Sequence, residues 1–118
     1  MPDSLDELNV RLLTFARDRD WEQFHSPKNL AMALAGEAGE LLEHFQWLSE
    51  PQSAELAADK KEAVALEMAD ILIYLIRLSE RLGVDLVAAA ERKLAINESR
   101  YPVEKVRGDA RRAEDYED

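Results

Sequence analysis

The chain has 118 residues, of which 47% are hydrophobic and 34% charged, and this composition predicts one folded domain and excludes a disordered chain. Its formal net charge of −10 argues against binding to a nucleic-acid polymer, which needs a basic face, although a small nucleotide can still be held through metal cations. No cysteine is present, which excludes disulfides, thiolate metal sites and cysteine nucleophiles and fits a reducing compartment.

No segment of the sequence predicts a membrane partner or a secretory signal. Residues 1–4 lack the basic start and the following apolar run of a signal peptide. The apolar segment 63–76 is shorter than the about 20 residues that a membrane-spanning helix needs, and it contains two acids. We therefore expect a soluble protein of the cytoplasm.

The spacing of hydrophobic residues predicts helices over residues 5–19, 27–48, 59–82 and 86–101. Their starts carry capping residues: Ser4 begins a capping box, Ser26 precedes a proline, and Asp85 can cap the fourth helix. Gly83 is suited to the left-handed residue that ends the third helix, and Pro102 ends the fourth. The polar connector 49–58 has room for one helical turn.

Four helices with short links predict an all-α fold, an antiparallel four-helix bundle. Residues 1–103 would form the helical domain, and residues 104–118, rich in charge and poor in apolar anchors, a mobile C-terminal tail. Because the third helix is apolar around most of its circumference, we expect homo-oligomerisation to complete its burial.

Two pairs of acids, each with its members three residues apart, are the most informative feature of the sequence. Glu37 and Glu40 point the same way on the second helix. Glu67 and Asp70 repeat the spacing inside the apolar block 63–76, where an unpaired charge is costly. If the two helices are antiparallel neighbours, the four carboxylates meet across the interface.

Such a cluster predicts a metal site, because like charges this close cannot all stay ionised without a cation. Carboxylate oxygens suit hard ions, so we expect Mg²⁺ or Mn²⁺ rather than Zn²⁺. The alternative is structural: Glu37 and Glu40 would be surface acids, and Glu67 and Asp70 would pair with lysine or arginine.

Other side chains are weaker candidates for a nucleotide site. Aromatic and histidine side chains can stack on a flat ligand or contact phosphate, although core, capping and surface roles are the commoner ones. A polar stripe with a spacing of four residues lies on the fourth helix and is solvated in the simpler interpretation. These candidates are Trp21, His25, His44, Trp47, Lys93, Asn97, Arg100 and Tyr101.

The acid pattern, Glu-x-x-Glu followed after 26 residues by Glu-x-x-Asp, resembles the signature of the all-α nucleoside triphosphate pyrophosphohydrolases, the MazG-like superfamily. Within it, the dCTP pyrophosphatase branch is the more similar. The resemblance covers about residues 5–103. The stretches that carry it are residues 19–25, 36–41, 45–47, 70–75 and 96–102.

The resemblance implies Mg²⁺-dependent hydrolysis of a (deoxy)nucleoside triphosphate to the monophosphate and pyrophosphate. It implies nucleotide-pool housecleaning, with dCTP-like pyrimidine substrates favoured, and assembly as a homodimer or homotetramer. The implied metal ligands and catalytic acids are Glu37, Glu40, Glu67 and Asp70. The positions implied to line the base and sugar pocket are Trp21, His25 and Trp47. Further substrate-proximal positions are Tyr74, Lys93, Asn97 and Tyr101.

One departure from the family pattern bears on base selectivity. Relatives that prefer cytosine place a histidine in the first helix, whereas this first helix has none and Leu12 or a neighbour stands there. The competing interpretation of the whole chain is a non-catalytic acidic helical oligomer that binds a nucleotide or docks a protein partner. Such a module would bind without turnover, and it leaves the acids of the third helix unexplained.

Overall fold

The computed structural model describes residues 4–111 and 113–115. Within these residues it contains six α-helices, two 3₁₀ turns and no β-strand, so the predicted all-α fold is confirmed. No helix in this part of the chain is long and apolar enough to cross a membrane. The helices are α1 (Leu5–Asp18), α2 (Pro27–Glu43), α3 (Glu50–Ala54), α4 (Ala58–Leu82), α5 (Leu86–Arg100) and α6 (Val103–Val106).

Local side-chain chemistry marks the starts of α1, α2 and α5 and the ends of α4 and α5, as predicted. The Oγ atoms of Ser4 and Ser26 and the carboxylate of Asp85 each accept a hydrogen bond from the backbone N–H three residues further on. Gly83 ends α4 with φ of 66°, the left-handed conformation in which a residue without Cβ carries no steric cost. Pro102 follows α5 after a single residue.

The predicted end of the second helix was wrong. The helix stops at Glu43 rather than near Leu48, and the backbone then tightens into turns, with the Phe45 N–H bonded to the Leu42 carbonyl at 2.9 Å. Hydrogen bonds that span three residues close a tighter turn than those of an α-helix, and such bonds continue to Leu48, whose N–H bonds to the Phe45 carbonyl at 2.9 Å. These turns redirect the chain before Ser49 forms the capping box that starts α3.

The chain divides into two compact units, and the boundary between them in the sequence falls between Val84 and Asp85. In the first unit α4 packs against both α2 and α1. The side chain of His25, just before α2, lies beside Arg77 near the end of α4, whereas Glu37 lies beside Glu67 nearer its start. The two helices therefore run antiparallel, as predicted. The buried apolar residues of this unit are Ala16, Leu30, Val64 and Ile76.

The second unit contains α5 and the segment predicted as a tail. The predicted tail begins one residue inside α6, so residues 104–106 are helical. A 3₁₀ turn follows at Ala113–Asp115. Arg100 of α5 and Glu114 form an ion pair of 3.2 Å inside this unit. Residues 112 and 116–118 of the predicted tail lie outside the described residues.

Candidate active site

Three of the four predicted acids meet where α2 packs against α4. Glu37 comes from α2, and Glu67 and Asp70 come from α4, one helical turn apart. One carboxylate oxygen from each lies within 4.8 Å of the other two. We call these three residues the acid trio. Glu40 is not a member of the trio, although its carboxyl lies near that of Glu37.

The trio is partly enclosed and lacks a positive partner among the described residues. Glu37 and Glu67 are half-buried, and the Oε2 atom of each is closed to solvent and has no hydrogen-bond partner in the part of the chain that the structure describes. Asp70 is exposed, so the apolar block that surrounds it in sequence does not enclose its side chain. Unpartnered carboxylate oxygens at this spacing favour either a proton or a cation between them.

The close spacing of the acids raises the pKa of Glu37 from 4.5 to about 7. The largest cause is the neighbouring carboxylate of Glu67, with which Glu37 can share a hydrogen bond only when it carries a proton, and burial comes next. A hydrogen bond with Glu40 and repulsion from both neighbouring carboxylates act in the same direction. The residues therefore fit a hard divalent cation, which would replace the proton and balance the charge.

A cavity of about 300 Å³ lies beside the trio, within the first unit. It is formed by α1, the 3₁₀ turn Glu22–Phe24 with its flanking residues, and α4. Asp70 belongs both to the trio and to the cavity wall, so the two features are continuous. The lining residues are Leu12, Phe15, Ala16, Trp21, His25, Asp70, Ile73, Tyr74 and Arg77.

The aromatic wall of the cavity is held in place by ring contacts. Trp21 meets Phe15 edge to face with ring centroids 5.7 Å apart, and the guanidinium of Arg19 lies 3.6 Å from the Phe15 ring centroid. Tyr74 lines the same cavity from α4. Aromatic faces and apolar side chains around a volume of this size are typical of a site for a flat heterocyclic ligand.

The polar wall combines His25 with Arg77, a residue that the sequence analysis did not select. Arg77 is only 2% exposed; its Nη1 donates to Glu80 at 3.1 Å, and its Nη2 donates to Nδ1 of His25 at 3.4 Å. Burial lowers the pKa of His25, and repulsion from Arg77 and Arg81 lowers it further. The available sequence signal was spacing, since Arg77 follows Asp70 by seven residues and so lies on the same helix face.

The lining of this cavity does not include the remaining predicted substrate-binding residues. Trp47 lies in the turns after α2 and is 87% exposed, and His44 caps the end of α2. Lys93, Asn97 and Tyr101 belong to the second unit, where they share one stripe of α5 and its cap. The substrate-binding roles of Trp47 and of these three residues therefore stay predictions.

Comparison with known proteins finds a matching family and similar sequences. The profile of the MazG-like family matches residues 33–116. The chain is 47% identical over 109 residues to dCTP pyrophosphatase 1 of Rattus norvegicus and 42% identical over 111 residues to dCTP pyrophosphatase 1 of Homo sapiens. These matches cover 91% and 92% of this chain but only 64% and 65% of the relatives, so the chain spans somewhat less than two thirds of their length.

A solved structure is similar over nearly its full length. The crystal structure of a pyrophosphatase from Archaeoglobus fulgidus superposes with a TM-score of 0.80 at 38% sequence identity. The superposition covers 86% of this chain and 95% of the archaeal chain. With the family profile matching well over half of its residues, the chain belongs to the MazG-like family.

Proposed function

We propose that this protein is a nucleoside triphosphate pyrophosphohydrolase, which cleaves a (deoxy)nucleoside triphosphate to the monophosphate and pyrophosphate with a divalent cation, Mg²⁺ or alternatively Mn²⁺. The observation that carries the proposal is the continuity of the acid trio with an aromatic cavity through Asp70. A cation site for phosphates and a slot for a base would then adjoin each other, as a nucleotide requires.

The trio, Glu37, Glu67 and Asp70, would hold the cation. When bound, a divalent ion there supplies charge neutralisation for the phosphate oxygens and lowers the pKa of water. A carboxylate of the protein itself would act as the base that accepts a proton from the attacking water. A carboxylate positioned to accept this proton accelerates such a step by about 10²–10⁴-fold. Glu37 and Glu40 are the two candidates for this base, since Glu37 belongs to the trio and the carboxyl of Glu40 lies near that of Glu37.

The cavity would hold the nucleoside. Trp21 and Tyr74 offer aromatic surface to the base, and His25, whose pKa is lowered, contributes a neutral hydrogen-bonding ring at physiological pH. The relatives named dCTP pyrophosphatase 1 support dCTP-like pyrimidine substrates. A housecleaning role in the nucleotide pool, which the family resemblance implies, belongs to the proposal as well. A location in the cytoplasm, predicted from the sequence, is part of the same proposal.

We also propose that the protein is a homodimer or homotetramer. The support comes from α4, which leaves large apolar side chains uncovered in the single chain. Leu66 and Met68 are 60% and 57% exposed, and Leu72 and Leu75 are more than a third exposed. A second copy of the chain would remove this surface from water. Sedimentation analysis of the purified protein tests the assembly directly.

The proposed reaction is tested with a panel of NTPs and dNTPs, with Mg²⁺ or with a chelator, in which pyrophosphate and orthophosphate are quantified separately. We expect pyrophosphate as product, highest activity with dCTP-like pyrimidines, and no turnover in the chelator. Glu67→Gln and Asp70→Asn should each lower the rate by at least about 10³-fold while the circular dichroism spectrum stays helical.

Glu62→Gln is the matched control, because Glu62 is an exposed acid of α4 outside the trio. It should keep the activity of the wild-type protein. Orthophosphate as the only product would place the cleavage at another bond. Binding of nucleotides without any turnover would instead support a non-catalytic nucleotide-binding module.

A further inference from the structure

Arg77 is a buried cation whose hydrogen-bonding capacity is only partly used. A guanidinium carries five N–H groups. Within the described residues, one of them donates to Glu80 and one to His25, and Nε has no partner although it is closed to solvent. The side chain is 3% exposed and belongs to the wall of the cavity. One N–H on each Nη atom is therefore left, and an acceptor inside the cavity whose wall Arg77 forms would complete this site.

The position of Arg77 along α4 shows which part of a ligand it would meet. Asp70 and Arg77 both line the cavity, and seven residues of α-helix rise by about 10 Å. Ile73 and Tyr74 line the wall between them. A nucleotide whose phosphates lie at the acid trio would therefore place its base, rather than its phosphates, beside Arg77.

We propose that Arg77 is a base-recognising residue, which donates hydrogen bonds to a carbonyl oxygen on the edge of the base. This inference rests on the proposed function, because it takes the ligand to be a nucleotide with its phosphates at the trio. A guanidinium can only donate. It therefore favours bases that carry a carbonyl group, namely cytosine, uracil, thymine and guanine, and it offers nothing to the exocyclic amine of adenine.

The surroundings of Arg77 fit this role better than a purely structural one. The ion pair with Glu80 uses a single N–H of Arg77 and does not account for its place in the cavity wall. The hydrogen bond to Nδ1 of His25 requires that this nitrogen be unprotonated, which agrees with the lowered pKa of His25. The two contacts orient the guanidinium plane, so a base would meet donors that are already fixed in position.

The test compares Arg77→Met, which keeps an unbranched, though shorter, side chain and removes its donors, with the wild-type protein. The substrates are dCTP and dATP, together with dITP, which differs from dATP mainly in carrying a carbonyl oxygen in place of the amine. For Arg77→Met we expect the KM for dCTP and dITP to rise about 10- to 100-fold. The kcat for both, and the KM for dATP, should change less than about twofold.

Arg81→Met is the matched control, since Arg81 is an exposed arginine one turn further along α4 and does not line the cavity. It should leave all three KM values unchanged. If Arg77→Met fails to fold, which its melting curve would show, Arg77→Lys replaces it. Lysine keeps the charge but not the planar array of donors, so we expect the preference to fall in the same direction, with a smaller rise in KM for dCTP and dITP.

A second measurement separates this inference from the proposed reaction. Binding of dCMP and dAMP in the presence of Mg²⁺ is measured by calorimetry in the same variants and needs no turnover. A wild-type protein without activity that binds dCMP in an Arg77-dependent way would refute the reaction and keep the base-recognising role. Equal losses for all bases, no loss for any base, or the absence of Arg77-dependent binding would each overturn the role of Arg77.

Discussion

The contact between Glu37 and Glu67 predicts that the metal-free protein loses stability as the pH rises. The pKa of Glu37 is about 7 in the folded protein and 4.5 without the fold, so between these values the folded protein binds more protons than the unfolded chain. Stability therefore falls as the pH rises through this window. The effect of Glu37 on stability is absent below about pH 4.5 and complete above about pH 7.

The size of the effect follows from the shift. An undamped shift of this size corresponds to about 3 kcal/mol. Because Glu37 is only half-buried, solvent screens part of the repulsion, and we expect about 1–2 kcal/mol. Glu37→Gln removes the titrating group, so in a chelator this variant should be more stable than the wild-type protein by that amount at pH 8 and by little at pH 4.5.

Urea unfolding followed by circular dichroism measures the difference between the two proteins. His25 contributes a slope of opposite sign, because its lowered pKa makes the unfolded chain bind more protons below about pH 6.5. That slope is present in both proteins and cancels in their difference. Glu43→Gln, an exposed acid at the end of the same helix, serves as control and should show no comparable dependence on pH.

Saturating Mg²⁺ should reverse the order of stability at pH 8. The wild-type protein gains stability by binding the ion in the folded state, whereas Glu37→Gln has lost a ligand of the trio and gains less. A difference between the two proteins that is the same at pH 4.5 and pH 8 would refute the close contact of Glu37 with Glu67. A variant that is less stable than the wild-type protein in the chelator at pH 8 would refute it too.

Three further outcomes follow from the geometry. Glu40→Gln should keep most of the rise in melting temperature caused by Mg²⁺, because Glu40 lies outside the trio, whereas Glu67→Gln should lose it. In single-tryptophan proteins, dCMP should change the fluorescence of Trp21, which lines the cavity; a response from Trp47 instead would show that the base binds elsewhere. Gly83→Ala should lower the free energy of unfolding by about 1–2 kcal/mol in urea, since φ is 66° there, and an unchanged midpoint would contradict that conformation.

The helix starts were predictable because each depends on a few neighbouring residues. Ser4, Ser26 and Asp85 cap their own helices, and no distant contact is needed to specify them. The end of α2 was less predictable, because the apolar spacing continues past Glu43 although the helix stops there. Hydrophobic periodicity predicts which face of a helix is buried more reliably than it predicts the residue at which the helix ends.

The candidate site was predictable where chemistry and spacing coincide. An acid in an apolar block stands out in a sequence, and the three-residue spacing of Glu67 and Asp70 placed them on one face. Arg77 did not stand out, because an arginine near the end of a helix is usually solvated, whereas this one is buried beside His25, which lies 52 residues earlier in the chain. The predicted helix 27–48 included Trp47, whereas the structure places this residue in the turns after α2.

The proposed site depends on α4 more than on any other element, and this has a consequence for how its two halves are coupled. Glu67, Asp70, Tyr74 and Arg77 succeed one another at three or four residues, so one regular helix sets both their common direction and their spacing. The distance from the metal ligands to the proposed base-recognising donor is then a property of helical geometry and does not depend on a loop conformation. A ligand binds both ends of the site only if the distance between its phosphates and its carbonyl-bearing base matches this fixed length. Recognition of the base and placement of the phosphates are then a single event.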